Sequence, residues 1–283
     1  MPPLFNEEQS VDVVNARMNE KANPRLRTVM SSLVDHLHQF IKDVQLTQAE
    51  WETAIGFLTR TGQICSNERQ EFILLSDTLG VSMLVDAIGN RRPQGATENT
   101  VLGPFHVAGA PNRSMGANIS LDGRGESCLY VGRVLDLDGK PVGGATIDVW
   151  SDNAEGFYDV QQPDVQPRWN NRGIFTTGPD GVYYFKGIKP VSYPIPSDGP
   201  VGQMLEMLGR HPFRPAHMHY IVTAAGFQRV VTHTFVGEDD YLESDAVFGV
   251  KGSLIAPFER LGSDGETKWR SNFDFVLTPS EQV

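Results

Sequence analysis

The chain has 283 residues, of which 40% are hydrophobic, enough to bury a substantial core as one large domain or two smaller ones. Its net charge of -11 and isoelectric point near 5.1 argue against unaided binding to nucleic acid or to anionic membranes. A globular protein with a small-molecule partner is therefore expected.

The start of the chain lacks the basic and apolar segments of a signal peptide, and no run of about 18 consecutive apolar residues occurs anywhere. Neither export nor a membrane span is therefore expected. Only two cysteines, Cys65 and Cys128, are present and they lie far apart, so neither a disulfide framework nor a thiolate metal site is expected. A reducing cytoplasm fits these features best.

The first third of the chain has helical periodicity. One apolar stripe extends over about five turns, and its members are Leu26, Val29, Leu33, Val34, Leu37, Phe40, Ile41 and Val44. Thr47 and Glu50 predict a capping box at the start of the next helix. Such stripes are explained by ordinary helix packing or by a subunit interface.

After residue 95 the helical period ends and turn-forming sequences take over. Asp122-Gly123, Asp138-Gly139 and Asp180-Gly181 separate short runs rich in β-branched and aromatic residues, which predicts hairpins in an all-β unit. Pro190 to Gly202 is predicted to be an irregular loop. We therefore predict an α+β fold, with a helical domain over residues 1–98 and a β-sandwich over residues 99–283.

A strand-like segment late in the chain contains His217 and His219. Residues two apart on a strand point to the same face, so both imidazoles can bind one metal ion. The pair alone is weak evidence, because two half-buried polar residues give the same pattern. The spacing leaves the remaining ligands open: they are either oxygen donors or one of His106, His211 and His233.

Tyrosine is another candidate ligand, because a hard trivalent ion stabilises a phenolate far below its free pKa of about 10. Two phenolates, two neutral imidazoles and one hydroxide bring ferric iron to zero net charge, which makes a buried site electrostatically tolerable. Tyr158 and Tyr193 lie in irregular stretches. Composition and spacing alone do not select them among the seven tyrosines, since a lone tyrosine more often only packs.

Four segments together resemble a known enzyme family. In chain order they are NTVLGPF at 99–105, DVWS at 148–151 followed by Tyr158, SYPIPSDGP at 192–200 and LGRHPFRPAHMH at 208–219. These segments are similar to those of the intradiol ring-cleavage dioxygenases. The resemblance implies a ferric ion on a β-sandwich catalytic domain, and a helical N-terminal domain that joins two subunits around a phospholipid.

The resemblance also assigns roles to individual residues. It implies one Fe(III) per subunit, with four ligands: Tyr158, Tyr193, His217 and His219. Arg214 matches the active-site arginine of the family, which stabilises negative charge on the substrate ring. Tyr193 would leave the metal and take up a proton when substrate binds, and His233 would assist by hydrogen bonding near the ring, so both are predicted to be catalytic.

Two departures from the family pattern point away from catechol as the substrate. Catechol-cleaving members generally have glutamine where this chain has His233, and they lack a close counterpart of segment 244–250. The chain is most similar to the branch that degrades hydroxyquinol (1,2,4-trihydroxybenzene). That branch uses O2 to cleave the ring between the vicinal hydroxyls, giving 3-hydroxy-cis,cis-muconate, the enol form of maleylacetate. The resemblance implies these ring contacts: Leu74, Asp77, Val101, Leu102, Gly103, Pro104, Phe105, Ile195, Pro196 and Val247.

Asp77 is a candidate substrate contact for an electrostatic reason as well. A carboxylate that faces an apolar pocket is costly unless it is paired, and a third ring hydroxyl can donate a hydrogen bond to it. The alternative is that Asp77 caps the turn at residues 78–80. Leu102 stands where a related member has phenylalanine, so substituted catechols stay open as substrates.

Two other functions remain compatible with the sequence. One is a catechol or chlorocatechol 1,2-dioxygenase, which would share the metal site but not the substrate preference. The other is a transthyretin-like β-sandwich binding module without enzymatic activity, in which the histidine pair only packs. The homodimer and its bound phospholipid are implied by the resemblance alone, and the stripe at Leu33, Leu37 and Ile41 is the predicted interface.

Overall fold

The computed structural model describes residues 4–19, 21–66, 69–262 and 267–280. The helices in these ranges are α1 Ser10–Asn15, α2 Pro24–Val44, α3 Gln48–Gln63, α4 Glu71–Thr78, α5 Val81–Gly89 and α6 Pro200–Met207. The strands are β1 Ser127–Asp136, β2 Thr146–Trp150, β3 Arg172–Thr176, β4 Val182–Ile188, β5 Tyr193–Pro194, β6 Phe213–Arg214, β7 His217–Thr223, β8 Val230–Val236, β9 Ile255–Ala256, β10 Phe258–Arg260, β11 Trp269–Asn272 and β12 Phe275–Leu277.

The chain divides into two compact units, residues 1–63 and 64–283. The first unit contains α1, α2 and α3. The predicted capping box is confirmed at the start of α3, where the Thr47 N–H donates to Glu50 Oε2 at 2.8 Å and the Glu50 N–H donates to Thr47 Oγ1 at 3.3 Å. No residue of α2 is buried within the chain, and every member of its apolar stripe except the half-buried Val34 is exposed.

The second unit contains α4 and α5 followed by two β-sheets. In one sheet, β1 pairs with β4 antiparallel and with β11 and β12 parallel, and β10 extends it beyond β11. The other sheet has the order β3-β2-β7-β8-β9. Side chains from both sheets form the main core, which includes Tyr130, Phe185, Met218 and Tyr220. The predicted α+β fold is confirmed.

Two local predictions are wrong. Asp180-Gly181 was expected to close a hairpin, but the flanking strands β3 and β4 belong to different sheets. The turn therefore carries the chain from one sheet to the other. At Asp138-Gly139 the chain does turn back on itself as predicted, because Pro141 bridges Leu135 antiparallel and the Asp136 N–H donates to the Lys140 carbonyl at 2.9 Å. The stretch Pro190 to Gly202 is not wholly irregular, because it contains β5 and the start of α6, where Pro200 occupies a position that needs no N–H donor.

Among the described residues, no single helix combines the length and apolar composition of a membrane span. The pair α4 and α5 meets that criterion only when both helices are taken together, and it is bent by 77° at the break.

Candidate metal centre and active site

The two histidines of the candidate metal centre lie on β7, a central strand of its sheet. His217 and His219 are both buried and alternate along the strand, so their rings occupy the same face, as predicted. On the neighbouring strands, Trp150 of β2 and His233 of β8 are the residues directly opposite His219. The Trp150 ring stacks on the His219 ring with centroids 4.7 Å apart. The His233 ring lies nearly perpendicular to the His219 ring, with centroids 4.2 Å apart. Packing on both sides therefore fixes the His219 ring.

The two candidate tyrosine ligands come from outside this sheet. Tyr193 lies on β5 and pairs with Arg214 of β6. Tyr158 immediately precedes a 3-10 turn and donates its backbone N–H to the side chain of Gln161 at 2.9 Å. The next residue, Asp159, accepts from Arg172 Nε at 2.7 Å, and this buried ion pair anchors the segment that carries Tyr158.

The four candidate ligand atoms meet at one point. Tyr158 Oη lies 2.8 Å from His219 Nε2 and 3.3 Å from Tyr193 Oη. His217 Nε2 lies 3.2 Å from His219 Nε2 and 3.5 Å from Tyr193 Oη. Ligands held about 2.0–2.1 Å from a transition metal are about 2.9 Å apart at a 90° angle and about 3.5 Å apart at 120°. The separations in this cluster therefore match the coordination shell of one ion.

The protonation chemistry of the cluster also fits a cation. Burial raises the pKa of Tyr158 well above its usual value and raises that of Tyr193, although Arg214 acts in the opposite direction. Both phenols therefore keep their protons unless a cation stabilises the phenolates. The donor set of two phenol oxygens and two imidazole nitrogens suits a hard or borderline metal such as iron.

The imidazoles are neutral and oriented for metal binding. Burial, with Arg214 nearby, lowers the pKa of His217 to about 3, and burial lowers that of His219 well below its usual value. His217 Nδ1–H donates a hydrogen bond to the backbone carbonyl of Pro215 at 2.7 Å, which leaves the Nε2 lone pair directed at the cluster.

Of the three histidines left open as further ligands, the structure brings only His233 to the pair. Ligand atoms of His217, His219 and His233 lie within 4.8 Å of one another. His106 instead pairs with Asp148 at 3.0 Å, and His211 accepts a backbone N–H. His233 is fully buried, neither ring nitrogen has a hydrogen-bond partner among the described residues, and burial lowers its pKa well below the usual value.

Several predicted ring contacts surround this cluster. Phe105 stacks on Tyr158 with ring centroids 4.6 Å apart. Gly103 has a φ of 76°, and a Cβ there would lie 3.0 Å from His219 Cε1, so the loop can approach the metal ligands only with glycine at this position. The backbone of Val101 acts to raise the pKa of His233, against the larger lowering by burial.

The remaining predicted contacts form a second group. Leu74 of α4 packs against a small cluster that includes Ile195 and Val247. Leu102 is 39% exposed. Pro104 lies between Gly103 and Phe105, and Pro196 directly follows Ile195.

Asp77, on α4, is half-buried and lies within electrostatic reach of Arg214. Burial raises the pKa of Asp77, while a hydrogen bond from Ser82 and the charge of Arg214 act to lower it. The turn after α4 is closed by the backbone carbonyl of Asp77, which accepts from the Gly80 N–H at 3.0 Å. The backbone, rather than the carboxylate, thus does the capping that was the alternative role for this residue.

Sequence reasoning missed two polar residues beside the pocket. Asp245 forms a buried ion pair with Arg214, at 3.1 Å between Nε and Oδ1. Arg210 donates to the backbone carbonyls of Thr78 at 2.6 Å and Ala246 at 2.9 Å, so it joins the end of α4 to the loop at 245–249. Neither role leaves a local signal, because each depends on a partner more than 30 residues away.

Comparison with protein families gives two matches that together span most of the chain. Residues 23–97 match the model described as catechol dioxygenase N terminus. Residues 101–279 match the model described as dioxygenase. The second match contains the four candidate ligands and Arg214.

Individual proteins are similar over nearly their whole length. The chain is 57% identical to hydroxyquinol 1,2-dioxygenase of Rhizobium sp. (strain MTP-10005), with 96% of each chain covered. It is 48% identical to 6-chlorohydroxyquinol 1,2-dioxygenase of Cupriavidus pinatubonensis, covering 98% of this chain and 99% of the relative. Among solved structures, hydroxyquinol 1,2-dioxygenase from Pseudomonas putida DLL-E4 superposes with a TM-score of 0.90 at 47% identity, with 97% of each chain covered.

Proposed function

This chain belongs to the intradiol ring-cleavage dioxygenases, and from that membership we propose that its substrate is hydroxyquinol. O2 is inserted between the two vicinal hydroxyl-bearing carbons, and the product is 3-hydroxy-cis,cis-muconate, the enol form of maleylacetate. The names of the similar proteins support this substrate. Family membership excludes the non-enzymatic binding module considered from the sequence.

The family is iron-dependent, and we propose that one Fe(III) per subunit is held by Tyr158, Tyr193, His217 and His219. The support is the fit of this donor set, in which four pairs of donor atoms are separated by 2.8 to 3.5 Å. Ferric iron bound there would supply the positive charge that stabilises the deprotonated vicinal oxygens and makes the ring reactive towards O2. The surrounding residues orient the ring, hold its charge and move protons.

Proton transfer and charge stabilisation fall to two neighbouring residues. Burial raises the pKa of Tyr193, so its Oη would be the atom that takes up a proton from a substrate hydroxyl. Arg214 Nη1 lies 3.3 Å from His217 Nε2, so the guanidinium faces the centre where the ring oxygens bind. Its positive charge stabilises negative charge that develops on the ring. His233 presents an uncharged imidazole beside His219 for hydrogen bonding to the ring or to oxygen.

Ring binding depends on apolar contacts and on one carboxylate. Leu74, Ile195 and Val247 form the apolar group that supports one side of the pocket. The preference for a third hydroxyl rests on Asp77, because burial raises the pKa of this half-buried carboxylate and a hydrogen bond from the ligand would offset that cost. The hydroxyl on carbon 4 of hydroxyquinol is such a donor, and catechol lacks it.

Oxygen uptake by the iron-loaded protein tests this assignment. Hydroxyquinol and catechol are supplied at matched subsaturating concentrations, and the autoxidation of hydroxyquinol is subtracted. We expect uptake to be at least about tenfold faster with hydroxyquinol, a gap of about 1.4 kcal/mol in transition-state binding. Equal or reversed rates would reject the substrate and leave the metal centre standing, with catechol or chlorocatechol cleavage as the alternative.

For the helical part of the chain we propose a role in dimerisation, within a domain of residues 1–98 that precedes the catalytic domain 99–283. The support is the exposed apolar stripe of α2, where Leu33, Leu37 and Ile41 are each more than 40% exposed. A contiguous apolar face of this kind marks a protein interface or a ligand site. The phospholipid in that interface stays a prediction from the resemblance, and the cytoplasmic location stays a prediction from the sequence.

A further inference from the structure

The orientation of the Arg214 guanidinium depends on one acidic partner. Arg214 is only 4% exposed, and two of its three nitrogens face the same carboxylate. Nε donates to Asp245 Oδ1 at 3.1 Å, and Nη2 donates to Asp245 Oδ2 at 3.3 Å. The third nitrogen, Nη1, is left beside His217 Nε2 at 3.3 Å. The two-point contact fixes the plane of the guanidinium and therefore the direction of Nη1.

Asp245 is itself held by the backbone of its own loop. Its Oδ1 accepts from the Val247 N–H at 3.2 Å, and its Oδ2 accepts from the Gly249 N–H at 2.8 Å. With the two bonds from Arg214, each carboxylate oxygen receives two donors, the full capacity of an ionised carboxylate. Burial alone would raise the pKa of Asp245, but the charge of Arg214 and these donors hold it below its usual value.

Close packing leaves little freedom around this ion pair. A Cβ at Gly249 would lie 2.8 Å from Arg214 Nη2 and 3.1 Å from Asp245 Oδ2. The residue between the two donors, Val247, packs in the apolar cluster that supports the ring side of the pocket. One short loop thus contacts both the substrate pocket and the back of the active-site arginine.

We propose that Asp245 is a positioning residue, which aims Nη1 of Arg214 at the metal centre through this two-point contact. The inference rests on the proposed dioxygenase activity and adds a residue to it. Charge neutralisation alone does not require this geometry, because a carboxylate that meets the guanidinium at one nitrogen neutralises it equally. Both the position and the direction of the carboxylate therefore matter for turnover.

The test compares Asp245→Asn, Arg214→Gln and the double variant, each loaded with iron. Asp245→Asn places an amide NH2 against an N–H donor, which breaks the two-point contact. We expect kcat for the diol that the wild type cleaves best to fall between about tenfold and about 100-fold. The dissociation constant of that diol, titrated without O2, should change little.

Two readouts separate positioning from a merely structural role. If Asp245 acts through Arg214, the double variant should be no slower than Arg214→Gln alone, since the two residues work as a unit. A crystal structure of Asp245→Asn should show Arg214 Nη1 turned away from the metal centre. The double variant also removes the unpaired buried charge, so it keeps the test valid if Asp245→Asn does not fold.

Glu71→Gln is the matched control. Glu71 is also a buried carboxylate that binds an arginine, Arg69 at 2.9 Å, and a backbone N–H, that of Val201 at 3.1 Å. This variant should lose thermal stability but keep the wild-type kcat and iron content. An iron-loaded Asp245→Asn with wild-type kcat, or losses that add in the double variant, would overturn the inference. Failure of the wild type on hydroxyquinol would reject only the proposed substrate, because the comparison then uses the diol that the enzyme does cleave.

Discussion

The metal side and the substrate side of this site are built in different ways. The metal side is centred on β7, where neighbouring strands on both edges fix His219 between Trp150 and His233. The substrate side is formed by α4 and by the loop at 245–249, and Arg210 joins these two segments by donating to the carbonyls of Thr78 and Ala246. A centre on paired strands resists displacement, whereas segments outside the sheets that are joined mainly through side chains shift more easily. The chemistry and the substrate preference should therefore be separable by mutation.

The largest effect is expected on the metal side. His219→Ala removes the imidazole that lies nearest to Tyr158 and stacks on Trp150. Activity should fall by more than about 100-fold, because the loss of a residue one shell further from a metal already costs 10- to 100-fold. Iron analysis and the visible tyrosinate-to-iron absorption should fall together. His36→Ala, at an exposed position of α2, is the control and should keep both.

A smaller effect is expected when the substrate side is loosened. Arg210→Gln removes the charged donors to the Thr78 and Ala246 carbonyls and the cation over the Phe248 ring, 4.9 Å from its centroid. Hydrogen bonds from charged groups contribute about 1.5–3 kcal/mol each, so we expect KM for hydroxyquinol to rise by about tenfold or more. Steady-state kinetics checks this. Loss of iron in the same variant would contradict the separation of the two sides.

The pH dependence of stability gives a subtler comparison at Asp77. Burial raises its pKa in the folded state, so folding favours the protonated carboxyl. That favourable contribution is complete below the unfolded pKa of about 3.9 and is lost as the pH rises through the folded pKa. At pH 7 the ionised carboxylate therefore lowers stability, and Asp77→Asn should raise Tm. Thermal unfolding as a function of pH should show this gain shrinking towards about pH 4; a gain that persists unchanged there would contradict the explanation.

The smallest effect on turnover is expected in the first unit. Leu37→Glu places a charge on the exposed stripe of α2, where Leu37 is 49% exposed in the single chain. If this stripe is the dimer interface, sedimentation should give a lower apparent mass while kcat stays close to that of the wild type. Thr28→Glu, at an exposed polar position of the same helix, is the control. An unchanged mass for Leu37→Glu would remove the stripe from the interface.

Local sequence patterns predicted the parts of the fold in which the physical signal is local. The period-two pattern predicted β7 and the shared face of His217 and His219, and the Thr47 capping box predicted the start of α3. The hairpin at Asp180-Gly181 was wrong because the same turn sequence also serves a crossing between two sheets. The short strands β10 to β12 were missed, since long-range pairing rather than their own sequence creates them.

In the candidate site, too, local features were predicted and features that depend on distant partners were not. The four-ligand set could not be chosen by spacing, because Tyr158 and Tyr193 lie on irregular segments that only the fold brings to β7. The resemblance to a family supplied them. Neither residue spacing nor the resemblance predicted the role of Asp245, since its ion pair with Arg214 forms only when the loop folds back. Positions fixed by distant partners are thus the part that one sequence leaves undetermined.

The most direct test of separable chemistry and preference is the ratio of kcat/KM for hydroxyquinol to that for catechol, measured in the wild type and in Asp77→Asn. The variant keeps the shape of the side chain and removes the charged acceptor. We expect the ratio to fall by about tenfold, since the hydrogen bond from the third hydroxyl then goes to a neutral acceptor, while the catechol rate and the iron absorption stay unchanged. An equal fall for both substrates, or an unchanged ratio, would contradict this expectation.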